Sequence, residues 1–399
     1  MNPDIITSLV TKTDTKIILI VMDGVGGLPI NGKTEIEAAH TPNLDQLVKD
    51  SVCGLTYSVA PGITAGSGPG HLGIFGYEPT EYEIGRGVLE ALGVGLNMTP
   101  FDVAARGNFA TRDAHAITDR RAGRIPTKTN QELCKKIAKA IPEIDGVKII
   151  IHSGVEHRFV VLFRGEGLDG RIADADPQTP GLPPKLAEPL VPEAEETTKI
   201  INTFIRQVED VLKNEHPANT ILLRGFAKYP DIPSMEERFK ITPAAIATYP
   251  MYRGLAKLVG MHLLETGQTI RDEIETLKAN YDTYDFFFVH IKKTDSYGED
   301  GNFDKKVAVI EELDINIPEV LSLNPDVLVV TADHSTPAVL KAHSWHPNPF
   351  LLVNRYIRPD EVIRFSERAF VHGGLGRFPA KDGIILMLAH ALKLKKFGA

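Results

Sequence analysis

Ile17-Ile18-Leu19-Ile20-Val21-Met22 runs straight into Asp23-Gly24. Six apolar residues, four of them β-branched, are too few for a helix and have the composition of a strand buried on both faces. Two later segments repeat the pattern. Phe286–Val289 is followed shortly by Asp295 and Glu299, and Val327–Val330 leads into Asp333-His334, with His343 and His346 a few residues beyond. Helical periodicity fills the spaces between such runs, at Glu83–Leu96, Gln131–Ala140, Glu195–Lys213, Tyr252–Leu264 and Phe303–Leu313. Strands alternating with helices predict an α/β fold built on a mainly parallel sheet flanked by helices.

At 399 residues, the chain exceeds what one ordinary core organises. The middle differs in texture: Arg106–Arg124 and His152–Arg164 are basic and strand-like, and Asp174–Pro192 holds six prolines and reads as an exposed loop. The expectation is a discontinuous domain over residues 1–107 and 246–399, with a smaller α/β substrate domain inserted at 108–245.

Hydrophobic residues make up 43% and charged residues 24%, the balance of a globular protein. A net charge of -8 argues against nucleic acid or an anionic membrane as partner, though not against a small anionic substrate in a locally basic pocket. Cys53 and Cys134 lie outside any metal or redox spacing, which fits a reducing cytoplasm. No apolar stretch approaches the roughly 20 residues of a membrane span. A homo-oligomer is left open.

Two glycine-rich segments resemble nucleotide loops. Gly68-Pro69-Gly70-His71-Leu72-Gly73 fits GxGxxG, but a Pro/Gly-rich loop precedes it where a strand is required. Gly27 to Thr34 fits GxxxxGK[ST] after a strand, but Asp23-Gly24 lengthens the loop and Pro42 curtails the helix that should support phosphates. A P-loop protein is therefore a remote alternative.

The three strand ends carry the chemistry. Ligand sites of open α/β sheets form beyond the carboxyl ends of strands, so Asp23, Asp295, Glu299, Asp333, His334 and His343 can converge. Such oxygen and nitrogen donors suit divalent cations, and their number exceeds one tetrahedral shell, which points to two ions suited to phosphoryl displacement. Singly, each is as well explained as a cap or turn residue. Ser67, in Gly66-Ser67-Gly68-Pro69-Gly70, alone reads as a helix cap; beside a metal site it reads as a nucleophile at a helix N-terminus. Asp119-Arg120-Arg121-Ala122-Gly123-Arg124 and Glu156-His157-Arg158 supply arginine forks for an anionic substrate, or a solvated surface run. Arg224 and Arg253 are further basic candidates.

Taken together, these segments resemble the archaeal-type cofactor-independent phosphoglycerate mutases of the alkaline phosphatase superfamily. The likeness extends through Val103 to Thr111, Met251-Tyr252-Arg253-Gly254, His290-Ile291-Lys292-Lys293-Thr294-Asp295 and Thr331-Ala332-Asp333-His334-Ser335-Thr336-Pro337. The resemblance implies an isomerase that moves a phosphoryl group between 3- and 2-phosphoglycerate through a phosphoserine at Ser67, without 2,3-bisphosphoglycerate. It implies one ion on Asp23, Ser67, Asp333 and His334, a second on Asp295 and His343, and a substrate pocket drawn from Arg120, Arg124, His157, Arg158 and Arg253. No acid or base is assigned beyond Asp119 and His157 as candidates. One position departs from the family's D-x-x-G-H pattern: Glu299 stands where histidine is usual. A carboxylate there would still ligate and would favour Mn²⁺ or Mg²⁺ over Zn²⁺, with Zn²⁺ or Co²⁺ as further candidates; the alternatives are a weakly held metal or a different substrate. Related phosphotransferases, such as homoserine kinase-like enzymes, and phosphomonoesterases are the alternative readings.

Overall fold

The computed structural model describes residues 3–82 and 84–398. The chain forms two compact units, one from Met1–Tyr82 and Ile232–Ala399, the other from Glu83–Asp231. The second unit therefore starts and ends earlier than residues 108 and 245. Both of those positions fall inside strands, Asp102–Arg112 and Pro243–Ala247, where no border can cut.

The first unit is built on an eight-stranded sheet. From edge to edge it runs His262–Leu264, Pro243–Ala247, Phe286–Ile291, Ile17–Met22, Val327–Thr331, Asn348–Asn354, Ser51–Tyr57 and Gly376–Pro379. Only Asn348–Asn354 runs against its two neighbours; the other pairings are parallel. Ile17–Met22 lies between Phe286–Ile291 and Val327–Thr331, in register with both, so the three predicted strands are adjacent and end at the same side. Alternation along this strand sends Ile18, Ile20 and Met22 to one face, where they pack with Leu44, Ile274, Ile310 and Leu313 from covering helices. Ile17, Leu19 and Val21 are buried on the other face. That double burial is why the segment shows no polar alternation.

The helices Glu195–Leu212, Thr127–Ala140 and Phe303–Leu321 contain the predicted periodic segments or nearly match them. Two expectations change. Tyr252–Leu264 is a helix, Pro250–Leu258, followed by the edge strand His262–Leu264, the chain turning at Val259-Gly260. The helix expected at Glu83–Leu96 is shorter, Arg86–Gly93.

The second unit carries a separate antiparallel sheet in the order Thr220–Lys228, Asp102–Arg112, Arg158–Arg164, Val147–Ser153, Glu143–Ile144, with Ile117–Asp119 paired to Asp102–Arg112. Its core joins Val103, Phe109, Phe159 and Val161 of the sheet to Leu133 and Ile137 of one helix and Phe204 and Val208 of another. The proline-rich 174–192 stretch is less open than expected. Ala175 and Asp176 are buried, and Glu188–Pro189 pairs with Ile172–Ala173. Among the described residues no helix is long and apolar enough to cross a membrane.

Candidate active site

Asp23 follows the last residue of the central strand, and its backbone N–H still bonds Ile291 O of the neighbouring strand at 3.0 Å. The turn behind it needs Gly24. Its φ is +60°, and a Cβ there would strike Thr336 Oγ1 and Asp295 Oδ1. Asp333 and His334 leave the adjacent strand, and Asp333 Oδ1 accepts from Gly24 N at 3.1 Å. Asp295 lies in the first turn of the helix Lys293–Glu299.

These strand ends converge. His334 Nε2 lies 3.1 Å from Asp333 Oδ2 and 3.4 Å from Asp23 Oδ1. On its other side His334 stacks on His343, ring centres 3.7 Å apart, and His343 Nε2 lies 3.5 Å from Asp295 Oδ1. Two groups result, Asp23–Asp333–His334 and Asp295–His334–His343, each with donor atoms mutually within 4.8 Å. Glu299 belongs to neither. Its Oε1 stands 3.7 Å from His343 Nε2 on a side chain that is 56% exposed. His346 is also outside, its ring stacked on Trp345.

Charge is crowded here. Asp23 Oδ1 and Asp333 Oδ2 are buried without a hydrogen-bond donor, an arrangement that costs free energy unless a cation balances it. Burial, and then the neighbouring Asp23 charge, push the Asp333 carboxyl up to about 7. Burial also opposes ionisation of Asp23, but His290, Lys292 and His334 together carry it well below the usual range. His343 is raised to about 9: burial works against its charge, and Asp295 and the Ala65 carbonyl more than offset that. A divalent ion fits these observations, supplying the missing positive charge to Asp23 Oδ1 and Asp333 Oδ2 and taking an imidazole lone pair from His334.

Ser67 opens the helix Ser67–Ile74. Gly66 is the cap, so the serine is the first helical residue and its hydroxyl is not spent on capping. Its Oγ lies 3.4 Å from His334 Nε2 and accepts from Tyr252 OH at 3.3 Å. Lys292, which sequence reasoning passed over, donates to Asp23 Oδ2 at 3.0 Å, Asp295 Oδ2 at 2.5 Å and Tyr252 OH at 3.1 Å. Beneath the carboxylates lie two fully buried histidines. His71 Nδ1 faces Asp333 Oδ2 at 3.1 Å, and His290 Nε2 faces Asp23 Oδ2 at 3.4 Å. Burial holds His71 near 4, so it is neutral. Tyr252 lies against His290 with ring centres 3.9 Å apart and the planes tilted by 30°.

The expected substrate residues divide. Arg120 is held bidentately by Asp176 at 3.0 and 2.6 Å, Arg124 reaches Glu156 at 3.5 Å, and Arg253 donates to Glu265 at 2.5 Å. Asp119 is occupied as a turn acceptor for the N–H groups of Arg121 and Gly123. His157 is buried, with Nδ1 unpartnered, and burial first and Arg158 next lower it to about 4. Arg158 instead joins a cluster missed in the sequence. Arg86, Arg106, Arg158 and Arg224 all act on the single carboxylate of Glu90, which Arg106 Nε approaches to 3.0 Å. Arg106 and Arg224 are paired across neighbouring strands, and the Arg224 Nε is buried without a hydrogen-bond acceptor. Four guanidinium groups face Glu90 and Asp176, whose Oδ2 lies 3.7 Å from Arg224 Nη1 and also pairs with Arg120, which still leaves a surplus of positive charge suited to an anion. Arg158 and Arg224 are candidates in the sequence, but their meeting with Arg86 and Arg106 carries no sequence signal; in the Arg120–Arg124 run, Arg120 is paired within the fold and Arg124 stays largely exposed.

The nucleotide-loop alternative does not survive. Thr34 caps the short helix Glu35–Ala38 and donates to Glu367 Oε2 at 2.8 Å, while Gly27 N donates to Glu367 Oε1 at 2.9 Å. Buried Glu35 and half-buried Glu367 thus face the loop where phosphates would have to bind. Gly68–Gly73 lies inside a helix and not in a loop.

A family model described as 2,3-bisphosphoglycerate-independent phosphoglycerate mutase matches residues 49–219. A Thermotoga neapolitana protein described as a probable 2,3-bisphosphoglycerate-independent phosphoglycerate mutase is 55% identical over 394 residues, covering 99% of this chain and 98% of its own. One from Aquifex aeolicus, described in the same words, is 53% identical over 407 residues, covering 99% and 100%. The solved structure of a cofactor-independent phosphoglycerate mutase from Thermoplasma acidophilum superposes with a TM-score of 0.78 at 31% identity, covering 94% of this chain and 100% of that one. The chain belongs to the family of 2,3-bisphosphoglycerate-independent phosphoglycerate mutases.

Proposed function

We propose that the protein interconverts 3-phosphoglycerate and 2-phosphoglycerate through a phosphoserine at Ser67, with no need of 2,3-bisphosphoglycerate. The observation that carries this reading is the uncapped Ser67 hydroxyl, 3.4 Å from His334 and beside two groups of metal-type donors. Asp23, Asp333 and His334, with Ser67, would hold one divalent ion. Asp295 and His343 would hold the other, with Glu299 closing onto it by a side-chain rotation. Such ions lower the pKa of a serine hydroxyl and neutralise phosphoryl oxygens, and the carboxylate-rich donor set favours Mn²⁺ or Mg²⁺.

In the forward direction Ser67 Oγ gives up its proton and attacks phosphorus, the bond from phosphorus to the C3 oxygen breaks, and that oxygen takes up a proton, so glycerate is left with a free 3-hydroxyl. The glycerate then turns in place, and its 2-hydroxyl oxygen attacks the phosphoserine, restoring Ser67. Lys292 offers its ammonium to the transferring phosphoryl group, and Tyr252 orients Ser67 Oγ. Within the second unit, the arginine cluster Arg86, Arg106, Arg158 and Arg224, with His157 next to Arg158, has the charge to bind a small anion. Arg120, Arg124 and Arg253 act in support, through the carboxylates they already bind. Exclusion of water decides the outcome, because water reaching the phosphoserine would turn the mutase into a phosphatase.

The test is Mn²⁺-loaded protein supplied with 3-phosphoglycerate. Wild type forms 2-phosphoglycerate and a trappable phosphopeptide containing Ser67, while Ser67→Ala loses at least about 10³-fold in turnover and forms no phosphopeptide. Full activity of Ser67→Ala, or release of inorganic phosphate in place of the isomer, would overturn the reading.

A further inference from the structure

A buried cation lies behind the candidate ligands. Lys306 enters from the first turn of the helix Phe303–Leu321, and none of its side chain reaches solvent. Its Nζ donates to three backbone carbonyls: Gly24 O at 3.0 Å, Gly26 O at 3.2 Å and Thr336 O at 2.8 Å. An ammonium has three protons, and all three are used. Glu35 Oε1 lies 3.6 Å away and balances part of the charge.

The carbonyls come from two loops, and these are the loops that present candidate ligands. Asp23 immediately precedes Gly24, and Asp333-His334 ends two residues before Thr336. The same loops are joined directly: Thr336 N donates to Gly24 O at 3.0 Å and Gly26 O at 3.1 Å. Thr336 Oγ1 donates to Asp295 Oδ1 at 2.6 Å and lies 3.0 Å from His334 Nδ1. Lys306 therefore fixes the residue from which both donor groups are oriented. An aliphatic side chain would fill the space and pack at least as well, since burying a charge is unfavourable by itself. What it could not supply is one donor bonded to both loops at once.

We propose that Lys306 is a positioning residue, an internal cation that clamps the Asp23–Gly26 and Asp333–Thr336 loops and thereby sets the affinity of the ligand cluster for a divalent metal. This rests on the metal reading given above, though not on the identity of the substrate. Outer partners that orient ligands typically change metal affinity by about 10–100-fold when removed.

The experiment compares metal-free wild type with Lys306→Gln, Lys306→Met and Lys306→Ala in Mn²⁺ titrations followed by electron paramagnetic resonance of the free ion, with circular dichroism as the check on folding. The clamp predicts natively folded variants that bind Mn²⁺ about 10–100-fold more weakly, with part of the loss in Lys306→Ala recovered by millimolar methylammonium, which occupies the vacated carbonyl cage. Folded variants with wild-type Mn²⁺ affinity would overturn it. Should the variants not fold, wild type labelled with ¹⁵N-lysine decides: the clamp predicts a solvent-protected ammonium signal that moves when Mg²⁺ is added, and a signal that stays put refutes it. A wild type that binds no Mn²⁺ removes the metal reading and the clamp together, whereas a binding wild type with unaffected variants removes the clamp alone.

Discussion

Glu299 sits four residues after Asp295, on the next turn of the same helix, and so on the same face. Its pKa is raised, by partial burial first and by the Asp295 charge next, so the two carboxylates repel each other in the absence of a cation. Glu299→His replaces an oxygen donor by an imidazole and removes that repulsion. The substitution is expected to shift metal preference from Mn²⁺ towards Zn²⁺ and Co²⁺ by about tenfold or more, read by competition titration of the two ions against one protein. The residues legible from sequence as candidates were Asp23, Asp333 and His334 at strand ends and Asp295 in the helix just beyond one, because a hydrophobic run followed by a carboxylate marks where a sheet opens. Lys292, His71, His290 and Tyr252 were not, since each looks ordinary in its own segment. A histidine within a buried strand becomes notable only when Asp23 Oδ2 is found 3.4 Å from its ring. The basic residues show a related limit: Arg120 opens the densest run, and its pairing with Asp176 is invisible in the sequence.

The helix Ser67–Ile74 is held close to the ligand loop by its lack of side chains. A Cβ on Gly70 would come within 2.6 Å of Asp333 O, a backbone atom with little freedom to move. Gly70→Ala is therefore expected to destabilise the fold by about 1–3 kcal/mol and to weaken Mn²⁺ binding by displacing Asp333. Chemical denaturation and metal titration read these two effects; a stable variant with unchanged affinity would show that the helix approaches less closely. In sequence the segment read as a glycine-rich loop match or as a helix start, and only the missing strand upstream favoured the latter. The reason for its glycines was not visible, because it lies in a carbonyl more than 260 residues away. Helix–strand borders were lost in the same way at Tyr252–Leu264, where apolar residues continue across the turn and periodicity alone does not see the chain reverse.

At the scale of the molecule, the two units have separate hydrophobic cores, and all the candidate metal ligands belong to the first. Metal should accordingly stabilise one unit and leave the other alone. Calorimetry with Mn²⁺ at 100 times its dissociation constant, against chelator, is expected to raise the first unit's transition by about 2.7 kcal/mol for one ion, roughly 5–10 °C, with the second unit's transition unmoved. A uniform shift of all the heat absorption would show that the units melt together. The α/β character was legible because the central strands are buried on both faces. The border of the insertion was not, because Tyr229–Ser234 leaves the second unit as an irregular segment with prolines and no change of composition.

The order in which the sheet is assembled follows from its topology. Ile17–Met22 is the first strand of the sheet to leave the ribosome, yet both of its neighbours, Phe286–Ile291 and Val327–Thr331, are made some 270 and 310 residues later. At ordinary elongation rates of roughly 5–20 residues per second, this apolar strand waits on the order of 15–50 s with both edges open. The second unit, contiguous in sequence, can be complete within that interval. The catalytic sheet is therefore closed by the carboxyl-terminal third of the chain, and a protein truncated during synthesis would retain its most aggregation-prone strand with nothing to pair it.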